Sequence, residues 1–150
     1  MPIHHSGDSE PDPPVGASLV FEDDVVRAVM RHLQSEGWTI DSFALSHQHG
    51  DDVVASRGRE HLIIEAKGDG SSKSTTARFG KPFTRNQVRT HVAVAVARAM
   101  RATCSDGTSA GLALPDSEYH RVEIERIAPA LHKLGIRLFW VSPDHSVKTA

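Results

Sequence analysis

Asp52, Glu65 and Lys67 are the residues whose types and spacing could do chemistry together. Asp52 opens the run Asp52-Val53-Val54-Ala55-Ser56, and Glu65 and Lys67 close the run His61-Leu62-Ile63-Ile64-Glu65-Ala66-Lys67. Between them stands Arg57-Gly58-Arg59-Glu60. Gly58-Arg59 fits a two-residue type II′ turn, which wants glycine first. Arg57 then pairs with Glu60, and counting outward sets Ser56 against His61, Ala55 against Leu62, Val54 against Ile63 and Val53 against Ile64. The next pair is Asp52 and Glu65, with β-carbons roughly 4.5–5.5 Å apart. Side chains alternate along a strand, so Glu65 and Lys67 share a face with Asp52 while Asp51 points to the other.

Two carboxylates facing each other repel, and a strand as apolar as LIIEAK gains no stability from that pair. A divalent cation turns the repulsion into a binding site. Oxygen-only ligands with open positions suit Mg²⁺ or Mn²⁺. Lys67, further along the same face, is placed to position a water and to stabilise charge growing on a phosphate. A metal there lowers the pKa of water and holds a phosphoryl oxygen. These are the parts of a phosphodiester hydrolase.

The elements that must position these groups follow from periodicity. A helix is expected from about Ser18 to Glu36, with Val25, Val26, Val29, Met30 and Leu33 inward and Gly37 as its stop. Glu22 falls on that inward face, where an acid needs a partner. Trp38 to Ser46 reads as a strand, 51–67 as the hairpin and 68–84 as a loop. Arg85 to Ala102 reads as a second helix, with Val88, Val92, Ala95, Val96 and Met100 as core positions. A short strand over Gly111–Leu114, a helical stretch over 117–134 split by Pro129, and a last strand, IRLFWV, complete the chain. The order α-β-β-β-α-β-α-β gives an α/β fold with a mixed sheet between helices.

The 150 residues fit one domain, expected over 18–150, preceded by an acidic, proline-rich tail without order over 1–17. A single cysteine, Cys104, excludes an internal disulfide and a thiolate zinc cage. No apolar run has membrane-spanning length, and a cytoplasmic protein is expected. The net charge is only −2, but it is unevenly spread. Residues 70–105 carry Lys73, Arg78, Lys81, Arg85, Arg89, Arg98 and Arg101 and no acid, the footprint of a phosphate-binding surface.

The motifs resemble the PD-(D/E)XK nuclease superfamily, which includes restriction endonucleases and archaeal Holliday-junction resolvases. Gly50-Asp51-Asp52-Val53-Val54-Ala55 is similar to its G-x-D strand, with Asp51 where a proline is usual. Leu62-Ile63-Ile64-Glu65-Ala66-Lys67-Gly68 is similar to its (D/E)-x-K strand. Phe21-Glu22 resembles the opening of its first helix, Gln87 the glutamine on the helix after the motif strand, and GLALP and LGIRLFWVSPD its closing strands. The resemblance covers about residues 18–145. It implies a restriction-endonuclease-like αβββαβ core with a sheet of four to five strands. It further implies a Mg²⁺- or Mn²⁺-dependent endonuclease. Asp52, Glu65 and Glu22 would hold the metal, Lys67 would serve the attacking water, and Gln87 would orient a ligand or phosphate. Asp23 and Asp24 are alternative holders of the helix-acid role, although the inward face favours Glu22.

The expected partner is nucleic acid, with DNA foremost, gripped by Lys73, Arg78, Lys81, Arg85 and Arg89; Arg98 and Arg101, far down the helix, read as a solvated face. Many relatives dimerise, so a homodimer fits as well. Two other readings compete. The run His47-Gln48-His49-Gly50-Asp51-Asp52 partly matches a zinc-hydrolase motif, with the last histidine missing. A nuclease-like scaffold that binds DNA without cutting is the other.

Overall fold

The structure, a computed structural model, describes residues 19–71 and 80–150. Lys73, Arg78 and the expected tail through residue 17 lie outside the described residues. The elements run α1 (Glu22–Ser35), β1 (Thr39–Phe43), β2 (Val53–Arg57), β3 (Glu60–Ala66), α2 (Arg85–Thr103), β4 (Thr108–Pro115), α3 (Glu118–Glu125), α4 (Ala128–Lys133), β5 (Arg137–Val141) and β6 (Val147–Thr149). All six strands form one mixed sheet in chain order. β1, β2 and β3 are an antiparallel meander, β3, β4 and β5 are parallel, and β6 returns antiparallel on β5. This is the expected α/β architecture of a mixed sheet flanked by helices.

Two apolar clusters hold the layers. Val53, Ala55, Leu62, Ile64 and Ala66 turn one way and pack with Val25, Val26, Val29 and Leu33 of α1. Ala110, Leu112 and Leu114 turn the other way and pack with Val88, Val92, Ala95 and Ala99 of α2, together with Ile124 and Leu131. The odd positions of β2 and the even positions of β3 thus face α1, as period-2 alternation requires. The face of β3 opposite α1 is the one that carries Glu65 and Lys67.

The differences from the expected elements have local causes. α1 begins at Glu22 rather than near Ser18, because Asp24 accepts a hydrogen bond from Phe21 N at 3.2 Å and caps the first turn. Trp38 is buried but precedes β1, its ring covered by the guanidinium of Arg57 at 4.5 Å. Ile40 and Phe43 sit at an odd spacing, which a bulge between Ile40 and Ser42 absorbs. Ile40 then pairs with Ala55 and Phe43 with Val53, so both lie on the α1 side, Phe43 at the exposed sheet edge. In α2 the stripe Val88, Val92, Ala95, Ala99 keeps strict helical spacing, which leaves Met100 outside. Pro129 does split the 117–134 stretch, standing in the first turn of α4, where its missing N–H costs nothing. The sheet has six strands rather than four to five. The extra strand, β6, has one half-buried apolar residue, Val147, and hangs on a turn in which Asp144 accepts from Ser146 N (2.9 Å) and Oγ (2.6 Å).

Candidate active site

The hairpin forms in the register that its turn dictates. Arg57 pairs with Glu60, Ser56 with His61, Ala55 with Leu62, Val54 with Ile63 and Val53 with Ile64. Gly58 carries φ +60 while Arg59 stays at negative φ, as the II′ turn needs. Arg57 and Glu60 close it with an ion pair of 3.1 Å. Asp52 lies one residue beyond β2 and Glu65 is the penultimate residue of β3, so the two acids meet at the mouth of the hairpin.

Their environments are those of groups held together against repulsion. Asp52 Oδ2 accepts a 2.7 Å hydrogen bond from Ala66 N, which fixes its carboxylate beside Glu65. Burial raises the Asp52 pKa, the Ala66 N–H and Lys67 pull it back, and Glu65 stands close enough to donate a hydrogen bond to it. Glu65 is 4% exposed. Burial, and then the charge of Asp52, push its pKa up to about 7 from an ordinary 4.5. Its Oε2 is buried without a hydrogen-bond partner. A buried carboxylate oxygen without a hydrogen-bond partner among the described residues, beside a second carboxylate, is a donor set that a hard divalent cation fits.

Glu22 joins them from the other layer. The first turn of α1 crosses the end of β3 so closely that a β-carbon on Gly68 would stand 2.4 Å from Glu22 N. Half-buried there, Glu22 has a raised pKa, first from burial and next from Asp52, with Lys67 and Arg98 acting against both. Asp23 and Asp24 have other tasks. Asp23 accepts from Ser46 N at 2.8 Å and ties the β1–β2 loop to α1, while Asp24 caps the helix. Of the three acids, Glu22 is the one that lines a cleft with Lys67. Among the described residues no three His, Cys, Asp or Glu side chains are gathered tightly enough to chelate an ion, so Asp52 and Glu65 form the pair and Glu22 stands further off.

Lys67 continues β3, its N–H bonded to Ala113 O at 3.1 Å. Its half-buried side chain lines a cleft of about 280 Å³ with Glu22, Ser46, Gly68, Phe83 and His91. Gln87 sits at the third position of α2 as half of a capping box. It accepts from Thr84 N at 2.9 Å, and its own N–H donates to Thr84 Oγ1 at 3.3 Å. Lys81, Arg85 and Arg89 are exposed, the Arg85 guanidinium lying 5.1 Å over the Tyr119 ring. His47 and His49 are exposed in the β1–β2 loop.

Several groups of the site escaped the sequence reading. Arg98, expected as a solvated cation, comes within 3.6 Å of Glu65 Oε2. Its position, three after buried Ala95 and next to buried Ala99, borders the inward stripe of α2 and was the available signal. Asp69 and His120 form a buried contact behind the cleft, His120 Nδ1 lying 3.7 Å from Asp69 Oδ1 and 2.6 Å from Ser117 Oγ. Burial pushes His120 down to about 4 and Asp69 up to about 6. The backbone of Asp69 ties the segments on either side of it together, Asp69 N donating to Val20 O (2.8 Å) and Phe83 N to Asp69 O (2.7 Å).

The raised Glu65 pKa has a stability consequence. Between its unfolded value near 4.5 and its folded value near 7 the native state binds the extra proton, so stability falls as pH rises through that window. Glu65→Gln removes the effect. In metal-free buffer the variant is expected to gain about 1–3 kcal/mol on wild type between pH 5 and pH 8, read by urea denaturation at both pH values. A gain that does not grow with pH would place Glu65 in an ordinary carboxylate environment.

No protein-family profile matches the chain, and no curated protein matches it. Among solved structures, the chain is similar to an FdxN element excision controlling factor protein from Anabaena variabilis, at 14% identity and a TM-score of 0.47, over 84% of this chain and 96% of that one.

Proposed function

We propose that this chain is a metal-dependent endonuclease acting on nucleic acid, with DNA as the foremost substrate. One observation carries the reading: the Asp52 and Glu65 carboxyls stand close together at the mouth of the hairpin, and among the described residues an oxygen of Glu65 is buried with no hydrogen-bond partner. A folded chain tolerates that only where something positive completes it.

Asp52 and Glu65 would hold Mg²⁺ or Mn²⁺, and such an ion supplies Lewis-acid activation of water and phosphate. Asp52 is pre-set for this by the Ala66 N–H, which keeps one oxygen fixed. Lys67 presents its ammonium to the cleft, where it orients the attacking water and offsets charge on the phosphorane oxygens. Glu22, half-buried at the same cleft, would help hold the ion, directly or through water. Exposed Lys81, Arg85 and Arg89 would track flanking phosphates, and the amide nitrogen of Gln87 would donate to one of them. Lys73 and Arg78, which follow the Glu65-Ala66-Lys67 motif in the sequence, would share that task.

The test is a cleavage panel of linear, nicked, branched and single-stranded DNA and RNA, with Mg²⁺, Mn²⁺ or chelator. Cutting is expected only with the divalent ion. Asp52→Asn is expected to lose about a hundredfold or more, while Asp51→Asn, at an exposed residue, stays within a fewfold of wild type. Metal-dependent binding without cutting by wild type would favour the non-cutting scaffold. Activity that needs Zn²⁺, His47 and His49 would favour the hydrolase reading.

A further inference from the structure

Among the described residues, Glu65 Oε2 is buried with no hydrogen-bond partner and has one cation at ion-pair distance, Arg98 Nη1 at 3.6 Å. The Arg98 side chain is itself 59% exposed. Besides Lys67, it is the cation whose charge is felt by Glu22, Asp52 and Glu65 alike. A guanidinium keeps its charge at every working pH, and its fork binds carboxylate and phosphate oxygens equally well.

We propose that Arg98 is an exchanging cation of the site: it holds Glu65 when no metal is present, is displaced by a divalent ion at that carboxylate, and then binds a phosphate of the nucleic acid. The inference rests on the nuclease reading above. The geometry asks for it in three ways. Two cations cannot share one buried carboxylate oxygen without strong repulsion. An exposed side chain leaves its partner without unpacking the core, since the buried stripe of α2 is Val88, Val92, Ala95 and Ala99. Arg98 also lies on the same layer as the Lys67 face of β3, where a phosphodiester bound at the site must run. The metal and Arg98 are thus rivals at Glu65 in the free protein and partners once a phosphate is present. Arg98 acts on the metal through Glu65 and is in that respect a positioning residue.

The experiment compares wild type, Arg98→Gln and Arg98→Lys in two titrations, with far-UV circular dichroism confirming the fold of each. In the first, Mn²⁺ is titrated by calorimetry without nucleic acid. Arg98→Gln is expected to bind about threefold more tightly than wild type, the size of one partly exposed ion pair, while Arg98→Lys stays near wild type. In the second, binding of an oligonucleotide duplex is measured with Ca²⁺ over a series of salt concentrations. The slope of log affinity on log salt is expected to fall by about 1 in Arg98→Gln. Unchanged or weaker Mn²⁺ binding by Arg98→Gln, with wild type binding the ion, overturns the exchange and leaves the nuclease reading standing. An unchanged salt slope overturns the phosphate contact. Wild type that binds no Mn²⁺ overturns the nuclease reading and this inference with it.

Discussion

Lys67→Ala is expected to lower the rate of DNA cleavage by about a hundredfold to a thousandfold, the usual cost of removing one group that stabilises developing charge. The side chain lines the cleft, and among the described residues no carboxylate stands within ion-pair distance of it, so its loss strands no buried partner. The strand is held by its backbone, through the Lys67 N–H to Ala113 O and the parallel pairing of β3 with β4. The variant is therefore expected to melt near wild type and to bind Mn²⁺ at least as well, one neighbouring positive charge having gone. Single-turnover cleavage at saturating Mn²⁺, beside a thermal melt, separates the two effects. A variant that cuts as fast as wild type would remove Lys67 from the chemistry.

Gly68→Ala carries the largest expected change in stability. A β-carbon there would come within 2.4 Å of Glu22 N and 2.8 Å of Phe21 C, both backbone atoms that cannot rotate aside. Gly68 does not have a positive φ, so the requirement is steric closeness and not an unusual backbone angle. The first turn of α1 must lift off the end of β3, which disturbs Val25 and Val26 in the α1 core and draws Glu22 from the cleft. A loss of about 3 kcal/mol is expected in urea denaturation, with weakened cleavage in what remains folded. A loss under about 0.5 kcal/mol would show that the helix yields easily and that its closeness is not what positions Glu22.

The parts legible in the sequence are those fixed by short-range rules. Gly58 at the first turn position sets the hairpin register, and the register alone carries Asp52 to Glu65. The helical spacing of Val25, Val26, Val29 and Leu33 sets the inward face of α1, and Glu22 follows from it. The parts that stayed hidden depend on contacts between distant segments. Arg98 meets Glu65 only because α2 crosses back over β3, and a reach of that length leaves no periodic trace. The bulge at Ile40 and Ser42 is chosen by the sheet edge, since Ile40 and Phe43 both gain by facing α1. β6 forms from a nearly polar segment because β5 offers it a free edge and the Asp144 turn returns the chain to it. His120 looks like a surface histidine in sequence, yet the packing of α3 against α2 leaves it fully buried.

The central claim is that the Asp52 and Glu65 carboxylates form one cation site. An anomalous difference map from crystals grown with Mn²⁺ tests it directly. The expected result is a peak at coordination distance from an oxygen of each, with the Arg98 guanidinium no longer on Glu65. A well-ordered site without that peak, or a peak on His47 and His49 alone, would contradict it.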